Sequence, residues 1–244
     1  VKPFLLLASR AEDAAADTEY EAFLRYGGLT EGQLQRVRME AGPLPELTLA
    51  DYSGVIVGGS PFNSSDPVES KSPVQRRVEN ELTALLDQIV HRDFPFLGAC
   101  YGIASLGAHR GGIIDTTYGE PVGAVLIEQT DAGRADPLLA GLPETFHAFV
   151  GHKEACRVLP EDAVLLATSA RCPVQMFRVG QNVYATQFHP ELDADGLITR
   201  IGVYDRHGYF PPEQAEAVAS DARRADVSHA PGVLRTFVQR FARL

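Results

Sequence analysis

Cys100 stands between Gly98 and Gly102, directly after the apolar run Phe94-Pro95-Phe96-Leu97. A thiol attacks as its thiolate, so it needs a proton acceptor and a place where negative charge can develop. The chain offers candidates for both. His189 closes the run Val183-Tyr184-Ala185-Thr186-Gln187-Phe188, and Pro190 and Glu191 follow it. The proline biases His189 toward extended geometry, and a carboxylate two residues on can turn back to orient the imidazole. Gly58-Gly59 follows Val55-Ile56-Val57, and glycine N–H groups can meet an oxyanion with no Cβ in the way. The N–H of Tyr101, next after the thiol, is the natural second donor. Taken singly, these features have plain structural readings: a buried small residue, a strand end, a turn. Together they describe covalent thiol chemistry on a carbonyl carbon. Cys100 is the nucleophile, His189 the acid and base, Glu191 the orienter, and Gly59 and Tyr101 the oxyanion donors.

Such residues must be held at strand ends. Pro3 to Ala8, Ser53 to Val57 and Phe94 to Gly98 are continuous apolar runs, the pattern of strands buried on both faces. Asp13 to Tyr26 has helical composition and ends at Gly27-Gly28, a plausible C-cap. Residues 62–73 are polar and punctuated by proline, hence a loop. Val74, Val78, Leu82, Leu85, Leu86, Ile89 and Val90 mark one face of a long amphipathic helix. Strand, helix, strand, helix, strand predicts a mainly parallel sheet with helices on both faces. Residues 122–129, 145–151, 163–169, 174–179 and 183–188 are strand-like in quick succession. Gly180-Gln181-Asn182 between the last two predicts a hairpin, so part of the sheet is antiparallel. From Asp195 the pattern is helical, broken at 209–212 and again near Pro231-Gly232. The predicted organisation is a catalytic domain over residues 1–195 and a helical C-terminal extension over 196–244, packed on that same domain. In this setting Gly98-Ala99-Cys100-Tyr101-Gly102 is a strand–turn–helix elbow, whose helix start is expected to lower the thiol pKa.

Composition narrows the classes of function. The net charge is −10 over 244 residues, with no basic stripe for phosphates, so no nucleic-acid partner is expected. No apolar run reaches the length of a membrane span, and the N-terminal run reads as a strand rather than a signal peptide. The three cysteines, Cys100, Cys156 and Cys172, are odd in number and widely spaced. They suggest neither a disulfide framework nor a metal site, and a cytoplasmic setting is expected.

Four blocks of this chain resemble the class I (triad) glutamine amidotransferases, especially stand-alone proteins related to the amidotransferase domain of GMP synthetase. In order they are VIVGGSPFN (55–63), PFLGACYGIASLGAHRGG (95–112), GEPVG (119–123) and CPVQMFRVGQNVYATQFHPE (172–191). The resemblance implies a flavodoxin-like α/β fold and a Cys100–His189–Glu191 triad that attacks the side-chain amide of glutamine. A γ-glutamyl thioester forms, ammonia leaves, and water releases glutamate. It also implies substrate contacts around Gly58, Ala104 and Gln175, no metal or organic cofactor, and a separate synthetase chain as the possible recipient of ammonia.

The pattern departs from the family at three places. The elbow usually continues Gly-x-Cys-x-Gly-x-Gln, and that glutamine helps hold the substrate; here the position is Ala104. The oxyanion loop usually reads Gly-Gly-Pro; here it is Gly58-Gly59-Ser60-Pro61. His152-Lys153-Glu154 stands where many relatives have His-Gly-Asp. The first two changes spare the chemistry and touch substrate recognition. Two active readings therefore stay open: a glutaminase subunit, and a self-sufficient hydrolase of γ-glutamyl peptides or amides. A third, a catalytically silent regulatory module, sits poorly with an intact triad.

Overall fold

The computed structural model describes residues 1–204 and 214–243. In chain order its strands are β1 (Phe4–Ala8), β2 (Leu34–Arg38), β3 (Gly54–Val57), β4 (Phe96–Ala99), β5 (Ile113–Asp115), β6 (Glu120–Gln129), β7 (Thr145–His152), β8 (Ala155–Val158), β9 (Ala163–Thr168), β10 (Met176–Val179) and β11 (Val183–Thr186). The helices are α1 (Asp13–Gly27), α2 (Pro73–His91), α3 (Tyr101–His109), α4 (Asp131–Ala135), α5 (Ala194–Val203), α6 (Ala215–Arg224) and α7 (Pro231–Phe241).

Nine strands form one sheet in the order β2-β1-β3-β4-β11-β10-β9-β6-β7. The first five run parallel, and the pairings from β11 to β7 are antiparallel. The apolar runs explain the parallel half. Leu5 and Leu7 of β1 pack with α2 and α3, whereas Phe4 and Leu6 pack with α1 and α7. Side chains alternate between faces, so a strand covered on both faces must be apolar at every position. β3 divides the same way, with Val55 and Val57 on one side and Ile56 on the other.

Local chemistry sets the helix ends. Ser72 caps α2 by accepting from the Gln75 N–H, with Pro73 in the first turn, as capping and proline geometry favour. Gly28 ends α1 in the left-handed conformation at φ 65°. Gly180-Gln181-Asn182 does form the turn between β10 and β11. Its Gln181 and Asn182 N–H groups donate to the Asp93 carboxylate just ahead of β4.

The break expected near Pro231-Gly232 falls at residues 225–230, between α6 and α7, and Pro231 begins α7, where a first-turn proline sacrifices no intrahelical hydrogen bond. The break expected at 209–212 lies outside the described residues. α5 runs through the expected boundary at residue 195, and α7 packs Phe237 against Phe4 of β1 at 5.9 Å between ring centroids. Among the described residues no helix is long and apolar enough to cross a membrane.

The turn from β4 into α3 brings backbone against backbone beside the thiol. A Cβ on Gly98 would lie 2.8 Å from the Gly102 Cα and carbonyl carbon. Those are backbone atoms that no rotamer change can move. Gly98→Ala should therefore lower the unfolding free energy by about 1–3 kcal/mol through overpacking. Chemical denaturation monitored by circular dichroism measures this.

Candidate active site

Four neighbouring strands deliver four groups to one edge of the sheet. Arg10 follows β1, Gly58-Gly59 follows β3, Cys100 follows β4 and His189 follows β11. This is the carboxyl edge of the parallel half, where open α/β sheets place their sites.

Cys100 adopts φ 54° and ψ −88°, a strained conformation for a residue with a side chain. Its N–H donates to the Thr186 carbonyl at 2.7 Å, which ties the elbow to β11. Gly59 lies against the same centre. A Cβ there would sit 2.6 Å from Arg10 Nη2 and 2.8 Å from His189 Cε1, so only glycine fits between them. Among the described residues, neither the Gly59 N–H nor the Tyr101 N–H has a hydrogen-bond acceptor.

His189 Nδ1 lies 2.8 Å from Glu191 Oε1. Arg200 Nη2 donates to that same oxygen at 2.9 Å and reaches Glu19 Oε1 at 3.3 Å. Arg10 Nε donates to Glu19 Oε1 at 2.9 Å. Arg10 Nη1 donates to the Tyr204 hydroxyl, which donates to Glu12. Two arginines and two glutamates thus alternate behind the imidazole, all of them buried. Arg200 Nη1 also lies 3.1 Å from His189 Nδ1. A protonated Nδ1 that donates to Glu191 has no lone pair for that arginine, so the two contacts compete. The tautomer with Nδ1–H on Glu191 is the one that leaves Nε2 free to accept a proton.

The electrostatics follow from burial and from this chain of charges. Burial pushes the Cys100 thiol up to about 12, against the pull of Arg10 and Arg200. This overturns the expected lowering by the helix start, because desolvation of the thiolate outweighs it. Burial also lowers the His189 pKa below 6.5, with Arg200 and Arg10 acting in the same direction and Glu191 opposing. Burial penalises the Glu191 carboxylate as well, but His189 and Arg200 more than offset that and hold it well below the usual carboxylate range. The resting site is a neutral thiol beside a neutral imidazole backed by an ionised carboxylate.

Two clefts meet at Cys100. One is lined by His189, Arg10, Arg200, Tyr204 and an apolar wall. The other is lined by Phe62, Asn63, Tyr101, residues 151–154 and Gln187. Cys100 and His189 share the first, and Glu191 stands directly behind His189. Gly58 lies behind the loop, where a Cβ would meet Glu19 Oε2 at 2.8 Å. Ala104 is buried in α3 and lines neither cleft. Gln175 is fully buried and donates to Glu120 Oε2 at 2.7 Å and to Ser169 at 3.0 Å, so it too is away from both clefts.

Residues 152–154 acquire a role. His152 Nδ1 donates to the Glu154 carbonyl at 2.8 Å, and its Nε2 lies 3.0 Å from Glu120 Oε2. The Glu154 carboxylate accepts from the Ser64 and Ser65 N–H groups at 2.8 and 2.7 Å. It thereby fixes the loop over the second cleft. Among the described residues, Glu120, His152 and Cys172 form the one group whose donor atoms converge as metal ligands would, within 4.8 Å of one another. Glu120 and His152 are committed to each other, and burial pushes the Cys172 thiol up to about 12. The group is a neutral-thiol polar network that fastens β6 to β7. All three cysteines are free.

Arg10, Glu19, Arg200 and Tyr204 were not among the residues expected from sequence. Arg10 carried a usable signal, standing two residues past an apolar parallel strand. Arg200 carried another, as a cation on the apolar face of Leu197-Ile198-Thr199-Arg200-Ile201.

Comparison with known proteins gives the family and the fold. The family model described as "Glutamine amidotransferase class-I" matches residues 17–196. GMP synthase [glutamine-hydrolyzing] of Thermosipho africanus is 31% identical over 115 residues, 47% of this chain and 22% of that protein. A protein of Thermoplasma volcanium named as one subunit of GMP synthase [glutamine-hydrolyzing] is 31% identical over 115 residues, 47% of this chain and 55% of that protein. The chain thus spans about a fifth of the full-length relatives and about half of the single-subunit one. A solved glutamine amidotransferase from Thermotoga maritima has a similar fold. Its TM-score is 0.78 at 22% identity, covering 99% of this chain and 98% of its own. Another, from Methylobacillus flagellatus, gives 0.75 at 21% identity over 100% and 97%.

Three outcomes follow from the charges. A base whose pKa is lowered stays neutral further into acid, so the acid limb of the kcat/KM profile should lie below pH 6.5. With the thiol near 12, alkylation of Cys100 by iodoacetamide should show no step between pH 8 and 9, where an ordinary thiol ionises. Arg200→Leu leaves the Glu191 and Glu19 carboxylates short of a partner. It should cost about 3–5 kcal/mol of stability, read from urea denaturation at pH 7.

Proposed function

Since the chain belongs to the class I glutamine amidotransferase family, we propose that it hydrolyses γ-glutamyl amides, glutamine included, through a thioester on Cys100. The substrate carbonyl oxygen faces the Gly59 and Tyr101 N–H groups. Cys100 Sγ attacks the carbonyl carbon as His189 Nε2 takes the thiol proton. Glu191 accepts from Nδ1 and stabilises the imidazolium that forms. The C–N bond then breaks as His189 returns that proton to the departing nitrogen. Water, deprotonated by His189, attacks the thioester, and glutamate leaves with the thiol restored.

The observation that carries this reading is the strained elbow. It presents Cys100 to the cleft that holds His189, between two backbone N–H groups with no acceptor of their own. Strain of this kind costs about 1–3 kcal/mol, and a catalytically silent module has no use for it. Relatives named as one subunit of GMP synthase favour a further step, in which ammonia passes to a synthetase on a separate chain.

The test is release of glutamate and ammonia from glutamine by the purified chain, alone and with a synthetase subunit. Cys100→Ala should lower the rate by about 10³-fold or more, and Glu191→Gln by about 10²- to 10⁴-fold through loss of the correct tautomer. Turnover that survives Cys100→Ala would overturn the assignment. Turnover seen only with the second chain identifies an ammonia donor, and turnover by the isolated chain identifies a hydrolase.

A further inference from the structure

The two clefts at Cys100 are chemically unlike, and the mechanism decides which part of a substrate enters each. His189 hands its proton to the departing nitrogen, so that nitrogen and whatever it carries lie on the His189 side. Of the two clefts that meet at Cys100, only the first is lined by His189. The glutamyl head, with its amino and carboxylate groups, is left for the second cleft and its polar Asn63, Lys153 and Gln187.

The first cleft is poorly matched to ammonia. Val122, Val150, Leu192, Leu197 and Ile201 line it, and ammonia has no carbon to set against them. One cation also faces this cleft with a donor to spare. The Arg10 side chain is 6% exposed; its Nε is engaged by Glu19 and its Nη1 by Tyr204. Nη2, beside Gly59, has no acceptor among the described residues. A guanidinium N–H held beside an apolar wall is suited to a carboxylate. The aliphatic wall of the cleft suits an aliphatic side chain on the leaving group.

We propose that the leaving group this site accommodates is a small aliphatic amino acid, so that the favoured substrate is a γ-glutamyl dipeptide such as γ-glutamylvaline. The dipeptide's terminal carboxylate meets Arg10 Nη2 and its side chain lies along Val122, Val150 and Ile201. The inference rests on the thioester mechanism above. Cys100 Sγ forms the C–S bond, the C–N bond breaks, the amino acid leaves with the proton from His189, and water yields glutamate.

The experiment compares kcat/KM of the purified chain for glutamine, γ-glutamylisobutylamide and γ-glutamylvaline, with Cys100→Ala as the control. The dipeptide should exceed glutamine by about tenfold or more, as expected for burial of a few carbons. The isobutylamide, which lacks the carboxylate, should fall between them. Arg10→Met should bring the dipeptide down to the isobutylamide. Val122→Asp, on a half-buried wall position, should depress both relative to glutamine and serves if the arginine variant does not fold. Cys100-dependent turnover of glutamine that equals or exceeds the dipeptide would overturn the leaving-group assignment and leave the mechanism standing. Absence of Cys100-dependent turnover of all three would overturn both.

Discussion

Gly98 and Gly102 touch so closely that a methyl group on the first would reach the backbone of the second at 2.8 Å. That contact lets β4 turn into α3 with a single residue between them. The residue at the turn is forced to positive φ and pushed out at the sheet's edge. Its neighbour's N–H is left at the start of a helix with no acceptor, and Gly59 closes in from β3. The placement of the thiol and of the Tyr101 N–H is therefore a consequence of one backbone approach. The parallel strands supply its rigidity, since β4 is hydrogen-bonded to β3 on one side and to β11 on the other.

Behind the imidazole a second constraint operates. Glu191 is fully buried, and a buried carboxylate is costly unless it is paired. Arg200 pairs it, Glu19 balances Arg200, and Arg10 balances Glu19. The chain of charges links α5 and α1 to the end of β1, so the C-terminal helices contribute to the catalytic geometry as well as to packing. Arg10 serves twice: it completes that chain and presents its remaining donor to the cleft. The competition between Glu191 and Arg200 for the Nδ1 edge of His189 means that the position of Arg200 bears directly on which tautomer the base adopts.

The parts that were legible in the sequence are those where one physical requirement governs a stretch of residues. β1, β3 and β4 could be read because burial on both faces demands unbroken apolar runs. The elbow could be read because its glycines bracket the cysteine. β2 was not legible: it is an edge strand of Leu-Gln-Arg-Val-Arg, largely half-buried, whose arginines pair with Asp13 and Asp17. β5 and β8 escaped because three- and four-residue strands carry too little periodicity. The arginine–glutamate chain joins Glu19 to Arg200, 181 residues apart in sequence, so no local pattern announces it. The thiol pKa was misjudged because a helix start is visible in sequence whereas depth of burial is not. Gln175, within a block that resembles the family, is held in the Glu120 network away from both clefts.

Everything about the chemistry depends on Cys100 becoming covalently acylated with His189 as its base. The most direct measurement is acid quenching of the native chain during turnover of γ-glutamyl p-nitroanilide, followed by peptide mass analysis, with His189→Asn run beside it as the variant that should form little adduct. This activated leaving group departs readily, so hydrolysis of the thioester becomes the slow step and the adduct accumulates. The account predicts a γ-glutamyl adduct on the peptide carrying Cys100 and on neither Cys156 nor Cys172. Release of nitroaniline with Cys100 unmodified, or an adduct on another residue, would contradict it.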